Sequence, residues 1–125
     1  MPNAESHKKQ IKINEDFYTE TNKKQLIFYD WKITIMFYII LHYVDTIAAK
    51  QNIIKIKDHN ERKRMIHIHN LLDRNEKNLY FELYDRSKLS RYECEYLNKK
   101  RAQSECLYVY DNLYMPLKNS LASKI

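Results

Sequence analysis

The stretch "ITIMFYIILHYV", residues 33–44, decides the fold of this chain. It is the most apolar run in the sequence, yet it is too short for a membrane span, which needs about 20 apolar residues, and it contains His42. The apolar pattern continues on both sides with a helical period, over residues 24–51. The apolar face of this predicted helix comprises Leu26, Phe28, Trp31, Ile35, Tyr38, Ile39 and Tyr43. We therefore expect a long, buried helix at the centre of the fold.

The composition of the chain excludes several classes of enzyme. None of its 125 residues is glycine, whereas average usage is about 7%. Glycine supplies positive φ angles and allows a close backbone approach to phosphate, so P-loops, dinucleotide-binding fingerprints and nucleophile elbows are absent. With only two prolines, the sequence has few breakers and favours long helices over short strands.

The segments around the core helix predict further helices. Residues 1–14 are polar and aperiodic, and we expect a flexible tail there. Asp58 is a predicted N-cap with Glu61 three positions later, and Pro116 is expected to kink or break the last helix. The predicted helices cover residues 15–22, 24–51, 59–73, 76–92 and 98–114. The fold class is thus all-α, an up-and-down bundle of four to five helices that forms one domain over residues 15–125.

Charge and cysteine content suggest the partners and the compartment. The net charge of +6 and the pI of about 9.2 favour an acidic partner, such as nucleic acid or an acidic protein surface. Cys94 and Cys106 form no CxxC pair, and no secretory signal opens the chain. We therefore predict two buried thiols in a reduced, cytoplasmic protein that is not bound to a membrane and holds no cofactor.

The stretch "HNERKRMIHIHN", residues 59–70, interleaves histidines and cationic side chains with apolar residues. At about 100° per residue, positions seven apart share a helical face, whereas positions five apart are separated by about 140°. One stripe therefore contains His59, Arg62, Ile66, His69 and Asp73, beside a core side of Met65, Ile68 and Leu72. Arg62 and His69 are candidates to act on one surface, whereas Arg64 points elsewhere. The potential metal ligands of this stripe lie more than one turn apart, so no metal site is predicted.

A second polar feature lies on the core helix itself. His42 and Asp45 are three positions apart, so they are neighbours on one face of the helix. A buried polar pair needs a partner, and Arg62 or Arg91 is expected to supply it. Such a network fits a structural element of the core and an active site equally well.

Three segments together resemble the HEPN superfamily. They are "FYIILHYVDTIAAK" (residues 37–50), "DHNERKRMI" (58–66) and "YFELYDRSKLSRY" (80–92), and the resemblance covers residues 24–115. It implies a helical bundle, commonly a homodimer. Many HEPN proteins are metal-independent RNases of toxin–antitoxin, CRISPR or antiviral systems, whereas others are inactive binding modules beside a nucleotidyltransferase.

The resemblance also implies which residues form the site. Active members carry an arginine followed after four to six residues by a histidine, and Arg62 with His69, or Arg64 with His69, fits this spacing. A histidine with a pKa near 6.5 can exchange the proton of a ribose 2′-hydroxyl, and an arginine can stabilise the charge on the scissile phosphate. The catalytic candidates are Arg62, His69 and His59, with a supporting network of His42, Asp45, Arg91 and Tyr92.

Two other functions fit the same sequence. Tyr96 follows the late arginine, Arg91, where an active HEPN protein is expected to have a histidine, and the 11 tyrosines are of a type enriched at interfaces. These features favour an inactive helical interaction module. A DNA-binding regulator is a third alternative, because basic clusters occur at residues 23–24, 62–64 and 99–101.

Overall fold

The computed structural model describes residues 3–23, 29–53, 55–92 and 99–125. The helices are α1 (Ala4–Lys23), α2 (Tyr29–Lys50), α3 (His59–Ile68), α4 (Arg74–Tyr92), α5 (Lys99–Val109) and α6 (Met115–Ala122). A π-helical segment, Tyr110–Tyr114, joins α5 to α6, so that these form one continuous helix. Over the described residues there are thus five helices and no strand, which confirms the predicted all-α class.

α2 is the central helix, as predicted from its apolar run. It contacts α1, α4, α5 and α6. Its fully buried side chains, over the described part of the helix, are Ile33, Met36, Phe37, Ile39, Ile40, Val44, Thr46 and Ala48. The segment Trp31–Lys50 is also long and apolar enough to cross a membrane by length and composition, but 78% of that window is buried inside the protein. This burial is what the core helix of a soluble protein shows.

The buried face of α2 differs from the predicted one. Trp31 is 61% exposed, and Ile35 and Tyr38 are only partly buried. α2 is apolar on most of its circumference, so periodicity alone does not determine which side the other helices cover. The predicted members of this face at Leu26 and Phe28 lie outside the described residues.

The N-terminal segment is a helix, so the prediction of a tail over residues 1–14 is wrong from Ala4 onward. The Asn3 side chain accepts a hydrogen bond from the Ser6 N–H at 2.9 Å, which caps the first turn of α1. Of the described side chains of α1, only His7 and Ile11 are buried. A stripe this narrow, with a histidine in it, gives too weak an apolar period to be recognised from the sequence.

α3 is shorter than predicted. Its start is confirmed, because the Asp58 side chain accepts a hydrogen bond from the Glu61 N–H. It ends at Ile68 rather than at Asp73, which instead caps α4. The Asp73 carboxylate accepts from the Glu76 N–H at 2.8 Å, and the Glu76 carboxylate accepts from the Asp73 N–H at 2.9 Å. This reciprocal capping box removes Asp73 from the predicted stripe.

Two asparagines end helices where other proteins use glycine. Asn52 follows α2 with a φ of 65°, and Asn70 follows α3 with a φ of 50°. In each turn the next residue donates its N–H to a carbonyl of the last helical turn, at 3.0 Å and 3.1 Å. Asparagine is the residue type after glycine that best tolerates this left-handed conformation. A chain without glycine thus still makes two sharp helix ends.

The π-helical segment explains how the last helix continues past Pro116. Proline lacks an N–H and disrupts a regular α-helical ladder. In the segment before it, the Met115 N–H bonds to the Tyr110 carbonyl, five residues back instead of four. The wider turn accommodates the missing N–H of Pro116 without ending the helix. The structure therefore has a local π-helix where the sequence predicted a kink or break. The buried face of the continuous helix is Cys106, Val109, Leu113, Leu117 and Leu121.

Candidate functional site

The structure brings four of the predicted site residues together, next to the start of α3. They are His42, Asp45, His59 and Arg62. His69 lies apart, because it is the exposed C-cap of α3 and the stripe ends there. The predictions for Arg91 and Tyr92 concern side chains outside the described part of the chain.

Asp45 and Arg62 form a buried ion pair between α2 and α3. Arg62 Nε donates to Asp45 Oδ1 at 2.7 Å, and Arg62 Nη2 donates to Asp45 Oδ2 at 2.9 Å. Asp45 is 1% exposed and Arg62 is 7% exposed. Burial lowers the pKa of Arg62, but the hydrogen bonds and charge of Asp45 outweigh it and raise that pKa above its usual value. Arg62, one of the two arginines that the sequence offered as partners, pairs with Asp45.

This pairing changes the role that Arg62 can play. A guanidinium that is buried and doubly bonded to a carboxylate faces the core and not a phosphate in solvent. Arg62 also lies close to His59, with Nη1 and His59 Nδ1 3.4 Å apart. Because arginine has no acceptor, His59 Nδ1 has to be the acceptor in this contact, which places the proton of the neutral ring on Nε2. Arg62 therefore orients His59.

His59 lies in a small cleft between α3 and α4. Its ring is half-buried and packs against Tyr84, with 4.9 Å between ring centroids, and against Phe37, at 5.8 Å. The cleft has a volume of about 250 Å³. It is lined by His59, Asn60, Lys63, Tyr80, Phe81, Tyr84, Asp85 and Lys88, and we call it the α3–α4 cleft. Among the predicted acid/base residues, His59 is the one that this cleft contains.

Two lysines lie over aromatic rings of the α3–α4 cleft. Lys63 Nζ is 5.6 Å from the centre of the Phe81 ring, and Lys88 Nζ is 4.8 Å from that of Tyr84. These cation–π contacts hold both ammonium groups against aromatic rings of the cleft that His59 also lines. Sequence reasoning named Lys63 only as part of the basic cluster at residues 62–64, and it missed Lys88, although the four-residue spacing of Tyr84 and Lys88 on α4 was a usable signal.

His42 faces α1 rather than α3. Its Nδ1 lies 2.9 Å from Nδ1 of His7, a residue that the prediction placed in a flexible tail. Burial, and then the nearby His7, lower the pKa of His42 from 6.5 to about 4, so the ring is neutral at pH 7. His7, His42 and Asp45 each have one potential metal-binding atom in this region, and these three atoms lie within 4.8 Å of one another.

An apolar groove runs beside this histidine pair. It has a volume of about 750 Å³ and lies between α1 and α2. We call it the α1–α2 groove, and its lining residues are Gln10, Ile13, Asn14, Phe17, Trp31, Lys32, Thr34, Ile35, Tyr38 and His42. Ile13, Phe17 and Trp31 are each more than half exposed. Large apolar side chains grouped in this way on a surface are typical of an interaction site.

Comparisons of this chain with protein-family models, with curated proteins and with solved structures find no match.

Proposed function

We propose that the protein is an HEPN-like RNA- or nucleotide-binding protein that binds its ligand in the α3–α4 cleft. The observation that supports this most is the position of His59 in a cleft with two lysines and several aromatic rings. Lysine ammonium groups neutralise phosphate charge, and aromatic rings offer stacking surfaces to bases. The net charge of +6 attracts a polyanion to the surface as a whole.

The size of the cleft limits what binds inside it. A volume of about 250 Å³ lies just below the range of ordinary small-molecule pockets, about 300–1,000 Å³. We expect it to hold a single nucleotide unit of an RNA strand, with the phosphates between Lys63 and Lys88. Duplex nucleic acid does not fit inside this cleft.

If the bound strand is cut, the protein is a metal-independent endoribonuclease in which His59 exchanges the proton of the 2′-hydroxyl through Nε2. For this step the ring has to change to the tautomer that carries its hydrogen on Nδ1, so that Nε2 has a free lone pair and Nδ1 no longer accepts from Arg62. Before the strand binds, Arg62 is a positioning residue, because it contacts His59 and not solvent. His69 lies outside the cleft, so a second acid/base group has to come from elsewhere. The homodimer implied by the HEPN resemblance would supply it from a second copy.

The experiment that tests this proposal is binding of fluorescently labelled single-stranded RNA, followed by incubation in EDTA to detect cleavage. We expect the double variant Lys63→Ala/Lys88→Ala to bind at least tenfold more weakly than the wild type. The control is Lys9→Ala/Lys55→Ala, which removes the same charge from exposed positions outside the cleft. No binding by the wild type, or equal losses in both double variants, would contradict the proposal.

Cleavage is tested separately with His59→Gln, which keeps a polar side chain of similar length. We expect this variant to bind RNA but to lose cleavage, whereas His69→Gln, at the exposed C-cap of α3 and outside the cleft, keeps it. Circular dichroism confirms that each variant is folded. Cleavage by folded His59→Gln at the wild-type rate would remove His59 from the mechanism.

The second candidate function is that of a catalytically inactive helical interaction module, and the α1–α2 groove favours it. We assign the groove to a second copy of the chain. The same face carries both protruding apolar side chains, Phe17 and Trp31, and a groove able to receive them. Such a face is complementary to itself across a two-fold axis. The predicted homodimer would then form here.

Light scattering tests this assignment. We expect the wild type to be a dimer and Phe17→Ser/Trp31→Ser to be a folded monomer. Leu107→Ser is the matched control, because Leu107 is also 58% exposed but lies on α5, outside the groove. A monomeric wild type would contradict the homodimer. Its capture of an antitoxin or a nucleotidyltransferase through the same residues would instead identify a hetero-partner.

A further inference from the structure

Two histidines and a carboxylate meet where α1 packs on α2. His7 comes from α1 and is 3% exposed, whereas His42 and Asp45 come from adjacent turns of α2. Their potential ligand atoms all lie within 4.8 Å of one another. We propose that His7, His42 and Asp45 bind a divalent first-row transition ion such as Zn²⁺, and that this ion fastens α1 to α2. The inference does not rest on the proposed function in RNA binding.

The separation of the two histidines fits a shared ion. Nδ1 of His7 and Nδ1 of His42 are 2.9 Å apart. Two nitrogens that are each about 2.0–2.1 Å from one ion lie roughly 2.9 Å apart in octahedral geometry and roughly 3.4 Å apart in tetrahedral geometry. Without an ion, the same distance requires one proton between the two nitrogens. The ion and the hydrogen bond are therefore alternatives that an experiment can separate.

The donor set selects the class of ion. Two imidazole nitrogens and one carboxylate oxygen suit Zn²⁺, Fe²⁺, Co²⁺ or Ni²⁺, whereas Mg²⁺ and Ca²⁺ prefer sites built from oxygen alone. Three protein ligands leave at least one position open to water. His42 lines the α1–α2 groove, which provides a route for the ion from solvent.

The surroundings of the three ligands support the site. Arg62 bonds to both oxygens of Asp45, and this fixes the orientation of the carboxylate as outer partners do in metal sites. Each oxygen keeps a second lone pair for an ion. The positive charge of Arg62 opposes an incoming cation, so we expect moderate affinity.

The position of the site indicates what the ion does. The side chains of α1 that are buried, over its described part, are His7 and Ile11. An ion shared by His7 and α2 adds a second strong attachment near the start of α1. Because α1 forms one wall of the α1–α2 groove, fastening it also fixes the shape of that groove.

The test uses the full chain without a histidine tag, stripped with EDTA and desalted. Titration with Zn²⁺ by calorimetry, and with Co²⁺ by visible absorption, should give one ion per chain and a rise in Tm. We expect His7→Gln and His42→Gln to weaken binding at least tenfold. His69→Gln is the control, because His69 is exposed and lies outside the cluster, and it should bind like the wild type. Absence of saturable binding by the wild type, or unchanged binding by His7→Gln, would overturn the proposal.

A measurement on the wild type alone keeps the test independent of how the variants fold. Zn²⁺ should shift the ring-nitrogen NMR signals of His7 and His42 and leave those of His67 and His69 in place. Shifts confined to the exposed histidines would show surface binding and overturn the assignment.

Discussion

The two sides of α2 are built differently. On the side that faces α3 and α4, Phe37 and Val44 are fully buried and Asp45 is paired with Arg62. On the side that lines the α1–α2 groove, Trp31 is exposed, and Ile35 and Tyr38 are only partly buried. The first side therefore serves the stability of the fold, and the second is available for binding. Substitutions on the two sides are expected to affect different measurements.

The largest expected effect is on the buried side, from Arg62→Ala. Removal of one partner from a buried ion pair leaves an uncompensated charge on Asp45, and this destabilises a protein by about 3–5 kcal/mol. Urea unfolding measures the loss. Arg64→Ala is the control, because Arg64 is an exposed neighbour on the same helix and should change stability by less than about 0.5 kcal/mol.

A double variant sharpens this result. Replacement of both members, as in Asp45→Leu/Arg62→Met, removes the unpaired charge and should be much less destabilising than Arg62→Ala alone. If the double variant is destabilised by the sum of the two single-variant losses in unfolding free energy, the ion pair is not the source of the effect.

On the α1 side, we expect Ile11→Ala to destabilise by about 2 kcal/mol, at the low end for a buried aliphatic side chain. Ile11 is 5% exposed and is the buried apolar contact of α1. Because few of the described side chains of α1 are buried, the loss of this contact should open α1 locally. Hydrogen exchange should speed up in α1 and stay slow in α2 and α4. An equal loss of protection in all helices would contradict the division between the two sides.

Glu76 bonds the start of α4 to Ser120 and Lys124 at the end of the last helix, and pH tests this contact. Burial raises the pKa of Glu76, but hydrogen bonds from Lys124, Ser120 and the Asp73 backbone outweigh it and bring the pKa below 4.5. A carboxyl group with a lowered pKa in the folded state adds stability that is complete above pH 4.5 and is lost as pH falls through the folded pKa.

We therefore expect Glu76→Gln to destabilise the protein by about 1–2 kcal/mol at pH 7 and to flatten its stability profile in acid. Unfolding midpoints measured from pH 7 to pH 3 give this profile. The control Glu5→Gln, at an exposed position of α1, should leave it unchanged. If the stability of Glu76→Gln falls more steeply in acid than that of the wild type, the predicted lowering of the Glu76 pKa in the folded state is wrong.

The smallest expected effect on stability comes from Trp31→Ser. Trp31 is 61% exposed, so its loss should change the free energy of unfolding of the monomer by less than about 0.5 kcal/mol. Its effect should appear in self-association. Unfolding measured at high dilution, where the protein is monomeric, separates monomer stability from self-association. A large loss of monomer stability would place Trp31 in the core rather than at an interface.

Local signals in the sequence predicted much of the fold. The run of residues 33–44 identified the core helix, and Asp58 with Glu61 marked the start of α3. These features depend on neighbours within one helix. The three-residue spacing of His42 and Asp45 likewise pointed to a buried pair that needs an arginine.

The errors arose where structure depends on contacts between distant segments. Which side of α2 is buried depends on the placement of α4, so Trp31 was assigned to the core. The stripe from His59 to Asp73 failed because Asn70 takes a left-handed conformation that ends α3 first. His7 was missed since its contact with His42 joins residues 35 positions apart. No pattern within one helix shows such a contact.

The π-helical segment lets the last helix hold one more residue without changing which side faces the core. A π-turn behaves as one extra residue inserted into an α-helix, and its wider turn absorbs the rotation that this residue would otherwise cause. Deletion of one residue from Tyr110–Tyr114 would therefore restore regular bonding and leave Leu117 and Leu121, both fully buried, on the same side of the helix. A second inserted residue, with no further π-turn to absorb it, would rotate both leucines out of the core by about 100°.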